Sequence, residues 1–124
     1  MRRTIKFRAW DVIGEKYIDA SMIWVGHDPI GDQEISVLRG EPPNTFWDPN
    51  IILEQFTGII DKNGVEIYEG DIVLLDNWEP NRAIVTFDRG GFCFYFKPDD
   101  NYYHDCKYLE GQTVIGNIHQ GENK

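Results

Sequence analysis

Residues 55–75, Gln55-Phe56-Thr57-Gly58-Ile59-Ile60-Asp61-Lys62-Asn63-Gly64-Val65-Glu66-Ile67-Tyr68-Glu69-Gly70-Asp71-Ile72-Val73-Leu74-Leu75, constrain the fold more than any other stretch. Two apolar runs flank Asp61-Lys62-Asn63-Gly64. Asn and Gly tolerate the positive φ that primed hairpin turns, or a type I turn with a bulge, require. A second corner, Tyr68-Glu69-Gly70-Asp71, needs a residue without a Cβ, and Gly70 supplies it. The run that follows, Ile72-Val73-Leu74-Leu75, is apolar on both faces, as a central strand is. A hairpin, a sharp corner and a buried strand in immediate succession leave no room for a long helix.

The rest of the sequence extends this pattern. In Thr4–Trp10, Ile5, Phe7 and Ala9 point one way and Lys6 and Arg8 the other, the period of a half-exposed strand. Asp11–Glu15 reads as a turn and Lys16–Val25 as its partner strand, giving an N-terminal hairpin over residues 1–25. Residues 26–50 are broken by Gly26, Pro29, Gly31, Gly40, Pro42, Pro43 and Pro49 and read as an acidic loop region, with room for one short strand over Glu34–Arg39. Residues 51–119 read as a β core. Its later strands are Arg82–Phe87, with Ala83, Val85 and Phe87 on one face, then Phe92–Phe96 and Thr113–Ile118. Residues 120–124 read as a polar tail, expected to fray. The expected architecture is a single all-β domain over residues 1–124: small bent sheets, an SH3-like partly open barrel in the C-terminal half, and the N-terminal hairpin packed on it.

Charge and motif content narrow the chemistry. The net charge of −9 is unevenly spread: Arg2, Arg3, Lys6 and Arg8 sit in the first eight residues, leaving 8 basic and 21 acidic groups, or −13, for the remainder. Such a surface repels a phosphate backbone, so nonspecific nucleic-acid binding is disfavoured. The sequence has no phosphate-cradling glycine loop, no His-Glu-x-x-His and no Gly-x-Ser-x-Gly. Cys93, His104, Cys106 and His119 follow no zinc-finger or knuckle spacing, and no third group orients a Cys106–His104 pair. No catalytic residue, metal or cofactor is expected. The N-terminus carries no apolar stretch of signal-peptide length, and no run suits a membrane span, so the expected location is the cytoplasm, with reduced thiols.

Phe7-Arg8-Ala9-Trp10-Asp11, Gln55-Phe56-Thr57-Gly58, Asp61-Lys62-Asn63-Gly64, Glu66-Ile67-Tyr68-Glu69-Gly70-Asp71-Ile72-Val73 and Val114-Ile115-Gly116-Asn117-Ile118 resemble, in order and spacing, the YopX-like family of bacteriophage and prophage proteins. The match spans nearly the whole sequence outside residues 26–50. The resemblance implies an all-β fold with an SH3-like portion and a phage or prophage origin. It implies no activity and no catalytic residues. The matched residues suit structure: Gly58, Gly64 and Gly70 for turns, and Asp61, Asn63 and Asp71 for turn geometry and hydrogen bonding.

The functional expectation is a non-enzymatic protein-interaction module whose partner is a host or phage protein, with homo-oligomerisation a related expectation. Trp47, Trp78 and Phe46 are its candidate contacts, since large aromatics in breaker-rich segments serve as hot spots. The alternative is a nucleic-acid-associated or DNA-mimicking regulator, in which Arg2, Arg3, Lys6 and Arg8 meet phosphates and Trp10 stacks on a base.

Overall fold

The computed structural model describes residues 6–18, 23–27, 35–41, 44–47, 50–88, 90–97 and 103–123; for 23–27, 35–41 and 44–47 it describes the backbone. Thirteen strands account for almost all of the regular structure among the described residues: β1 Phe7–Asp11, β2 Lys16–Ile18, β3 Ile23–His27, β4 Ile35–Glu41, β5 Asn44–Trp47, β6 Ile51–Ile60, β7 Glu66–Tyr68, β8 Asp71–Leu74, β9 Arg82–Asp88, β10 Gly91–Phe96, β11 His104–Asp105, β12 Thr113–Asn117 and β13 Gly121–Glu122. The one helical element there is a single 3-10 turn, Cys106–Leu109. The fold is all-β, with bent sheets and an SH3-like, partly open barrel in the C-terminal half.

The protein forms two compact units, one of Phe7–Glu54 and one of Gln55–Lys124 together with the segment ending at Lys6. In the second of these, six strands pair in the order β11-β10-β9-β8-β12-β13. Alternation along each strand decides what is buried. Ala83 faces Phe96 across β9 and β10, Val85 faces Phe94, and Val73 of β8 faces both Ala83 and Val114 of β12. Val73, Ala83, Val85, Phe94 and Phe96 make one core with Ile67, Leu75 and Leu109, against which Ile59, Trp78, Cys106 and Val114 pack. Val73, Ala83 and Phe94 are fully inaccessible. The expected central strand is therefore central: β8 lies between β9 and β12.

In the other unit β1 and β2 form the expected hairpin, with Ala9 opposite Ile18 and Asp11 opposite Lys16. A small core gathers Ala9, Ile51, Ile18 and Leu53. Two sequence expectations change here. The strand read over Lys16–Val25 is two strands: β2 ends at Ile18 and pairs with β1, while β3 starts at Ile23 and pairs with β4. Residues 26–50, read as a loop region with one short strand over Glu34–Arg39, do hold that strand as β4, and it is the middle of a three-stranded sheet in the order β3-β4-β5. Its glycines lie inside ladders, Gly26 opposite Ser36 and Gly40 opposite Thr45. A glycine weakens a strand by removing a side chain, yet it keeps both backbone hydrogen-bonding groups, so cross-strand pairing overrides the local signal.

Candidate functional site

The Asp61 side chain ties together the central hairpin. Its Oδ1 accepts from the backbone N–H of Asn63 at 2.8 Å and of Val65 at 2.9 Å. Its Oδ2 accepts from Val114 N–H at 3.0 Å, joining the β6–β7 turn to β12, 53 residues away in sequence. Lys62 N–H donates to Gln112 O beside it. Burial works to raise the Asp61 carboxyl's pKa; the donors Val114, Val65 and Asn63, with the Lys62 charge, outweigh it and hold the pKa below the usual carboxylate value. Asp71 does similar work at the next corner, accepting from Tyr68 N–H at 2.8 Å while 2% exposed. Gly70, at φ 88°, takes the left-handed conformation there, and Gly64, at φ 81°, takes it in the hairpin turn. Gly58, assigned to a turn from sequence, instead lies within β6 at φ 88°, where the β6–β7 register shifts between Phe56 and Ile60. It is a bulge residue.

Two cations of the basic N-terminal stretch, Lys6 and Arg8, are paired with carboxylates. Lys6 Nζ meets Glu66 Oε2 at 2.7 Å, and this hydrogen bond, with the carboxylate's charge, raises the lysine pKa. Arg8 Nε donates to Glu54 Oε1 at 2.8 Å, the same oxygen that accepts from Tyr17 O–H, and the guanidinium lies 4.6 Å from the Tyr17 ring centroid. Trp10 is 6% exposed and packs edge-on against Tyr17 at 4.9 Å. A ring so covered cannot stack on a base without leaving its core. Arg2 and Arg3 lie outside the described residues. The acids are also partly internal: Asp11, Glu54, Asp61 and Asp71 are all buried, so none of them can join a surface array resembling DNA.

Trp78 belongs to the core as much as to the surface. Its ring is half-buried and contacts four others: Phe94 at 5.8 Å, Phe96 at 6.0 Å, His104 at 5.5 Å and Tyr108 at 5.9 Å. His104 in turn stacks on Phe94 at 5.2 Å. Trp78→Ala is expected to lower stability by about 2 kcal/mol, roughly half the cost of emptying a fully buried tryptophan site, read from the urea midpoint. Phe46 and Trp47 sit in β5, opposite Arg39 and Leu38 of β4; their side chains lie outside the described structure.

Phe87, placed by the sequence on the same face as Ala83 and Val85, differs from them in exposure. The inward row of β9 and β10 runs Ala83, Val85, Phe87 against Phe96, Phe94, Phe92. Its first two pairs are buried; the third pair runs past the core. Phe87 is 47% exposed and touches Phe92 edge-on at 5.1 Å. The spacing of two along both strands carries this signal, since it aligns Phe87 with Ala83 and Val85 beside the Gly90-Gly91 turn.

The cysteines form no centre. Cys93 pairs with Thr86 and Asp105 on the outward side, while Cys106 packs against the core. Burial and the Asp105 charge push the Cys106 thiol's pKa up, away from a reactive thiolate. Among the described residues no three His, Cys, Asp or Glu residues converge as metal ligands, and no helix is long and apolar enough to cross a membrane.

Comparison with known proteins agrees with the fold and supplies no activity. No curated protein matches this sequence. Among solved structures, the crystal structure of protein EF1440 from Enterococcus faecalis is similar, at 26% identity, with 95% of both proteins covered and a TM-score of 0.61. The family model described as YopX protein matches residues 6–123. With nearly the whole sequence covered, the protein belongs to the YopX family.

Proposed function

We propose that the protein is a non-enzymatic protein-interaction module of phage or prophage origin, acting on a host or phage protein in the bacterial cytoplasm. The observation that carries this reading is the Phe87–Phe92 pair. It extends a core row beyond its own cover and leaves a large ring half accessible. Aromatic residues, phenylalanine among them, are enriched in protein interfaces relative to the rest of the surface. The edge strands of the six-stranded sheet, β11 and β13, have two residues each. Edges so short give little backbone for a partner strand to pair with, so recognition falls to side chains. The paired Lys6 and Arg8 and the buried Trp10 weaken the nucleic-acid alternative.

The test is affinity capture of the tagged protein from host lysate, with and without nuclease, using wild type and Phe87→Ser. The variant should lose no more than about 1 kcal/mol of stability, since its ring is half in water already. A partner retained after nuclease and lost from the variant is the expected result. Identical captures by both proteins, or material that nuclease removes, would overturn the assignment. Sedimentation across micromolar dilutions separates self-association from a foreign partner.

A further inference from the structure

We propose that Asn63–Gly64 is a self-modification site, at which the protein converts its own asparagine to aspartate and isoaspartate. Of the eight asparagines, only Asn63 is followed by glycine. The chemistry needs that neighbour. The Gly64 backbone nitrogen attacks Asn63 Cγ, forming a five-membered imide. The bond from Cγ to the amide nitrogen breaks, and ammonia leaves with the former backbone amide proton. Water then opens either imide carbonyl, giving aspartate or, with one more methylene in the backbone, isoaspartate. A side chain on the attacking residue hinders the approach, and glycine has none.

The fold leaves the site open to this sequence of steps. Lys62, Asn63, Gly64 and Val65 are all exposed, so water reaches the imide. A Cβ built at Gly64 would meet nothing within 4 Å, so no other segment packs over that side of the turn. One restraint opposes it: Gly64 N–H donates to Asp61 O at 3.1 Å. A single exposed hydrogen bond of this kind withholds the Gly64 N–H by only about five- to tenfold; the turn itself is also closed by Asp61 N–H donating to Val65 O at 2.8 Å. Asp61 supplies a second restraint by gripping the N–H groups of Asn63 and Val65. Modification adds a negative charge beside Asp61, and isoaspartate lengthens the turn that sets the β6–β7 pairing.

The test incubates the full-length protein in warm, mildly alkaline buffer. Isoelectric focusing follows the acidic shift, and peptide mapping with isoaspartyl methyltransferase labelling locates it. The expected result is an acidic species mapping to Asn63, absent from Asn63→Ser and from Gly64→Ala, and formed faster in Asp61→Ala. A urea-unfolded sample supplies the reference. If the unfolded protein is modified at Asn63 while the folded protein stays intact over the same period, the turn protects the site and the proposal fails. Acidic species that persist in Asn63→Ser at the wild-type rate would overturn it equally.

Discussion

Asp61→Ala should lower stability by about 3 kcal/mol, concentrated in one of the three hydrogen bonds it removes. Bonds to a charged acceptor contribute about 1.5–3 kcal/mol each, and simple addition would give far more. The three donors are not equivalent. Asn63 and Val65 are exposed, so water replaces the lost oxygen at small cost. Val114 is half-buried, in a strand already irregular between Val114 and Gly116. Its N–H is the one left without a good substitute. For a protein of 124 residues this loss corresponds to a fall in Tm of roughly 10 °C. Asp61→Asn retains an acceptor and should cost about half as much. The pH dependence follows from the direction of the carboxyl's shift. The folded-state pKa lies below the ordinary value of 3.8, so the anion's contribution is complete above that value. It is lost as pH falls through the folded value. Thermal melts at neutral pH and on the acid side should therefore show wild type and Asp61→Ala converging as pH falls. A constant gap across that range would mean that the alanine acts by disturbing the turn, not by removing a carboxylate.

This residue also shows what the sequence could and could not disclose. Asp61-Lys62-Asn63-Gly64 announces a hairpin because turn chemistry is local, and Gly64 at φ 81° meets that expectation. The bond from Val114 to Asp61 is not local, and no spacing rule reaches across 53 residues. The same division runs through the molecule. Alternation in Arg82–Phe87 and Phe92–Phe96 reports which face is buried. It does not report where the cover ends, so Phe87 reads like Val85 until the structure shows one exposed and the other enclosed. Lys6 and Arg8 read as free cations because their partners, Glu66 and Glu54, lie 60 and 46 residues away. The β3-β4-β5 sheet was masked by glycines that local propensity counts as breakers, although in a ladder they still donate and accept.

Gly116 gives the other large effect, and its size follows from which of two responses costs less. A Cβ added there would lie 2.0 Å from Gly121 O and 2.7 Å from Glu122 Cα. An ordinary contact of carbon with a carbonyl oxygen is longer by more than about 1 Å. No rotamer relieves this clash, because both partners are backbone. Either the barrel distorts around β12, or β13 separates from it. Separation gives up the pairing of Gly116 with Glu122 and of Asn117 with Gly121, the Asn123 N–H bond to Ile115 O, and the exposed Arg82–Glu122 ion pair. At about 1 kcal/mol for each backbone bond and less for the ion pair, that sums to about 3 kcal/mol. Distorting β12 would disturb Val114 and with it the core row through Val73, a costlier change. Gly116→Ala should therefore release β13. Hydrogen exchange should lose protection near Gly121–Asn123 while Val73 and Val85 retain most of theirs. Gly116→Val should then cost no more than Gly116→Ala, since the space that β13 vacates accepts the larger side chain. If valine proves much worse than alanine, β13 has stayed in place and the barrel has absorbed the clash.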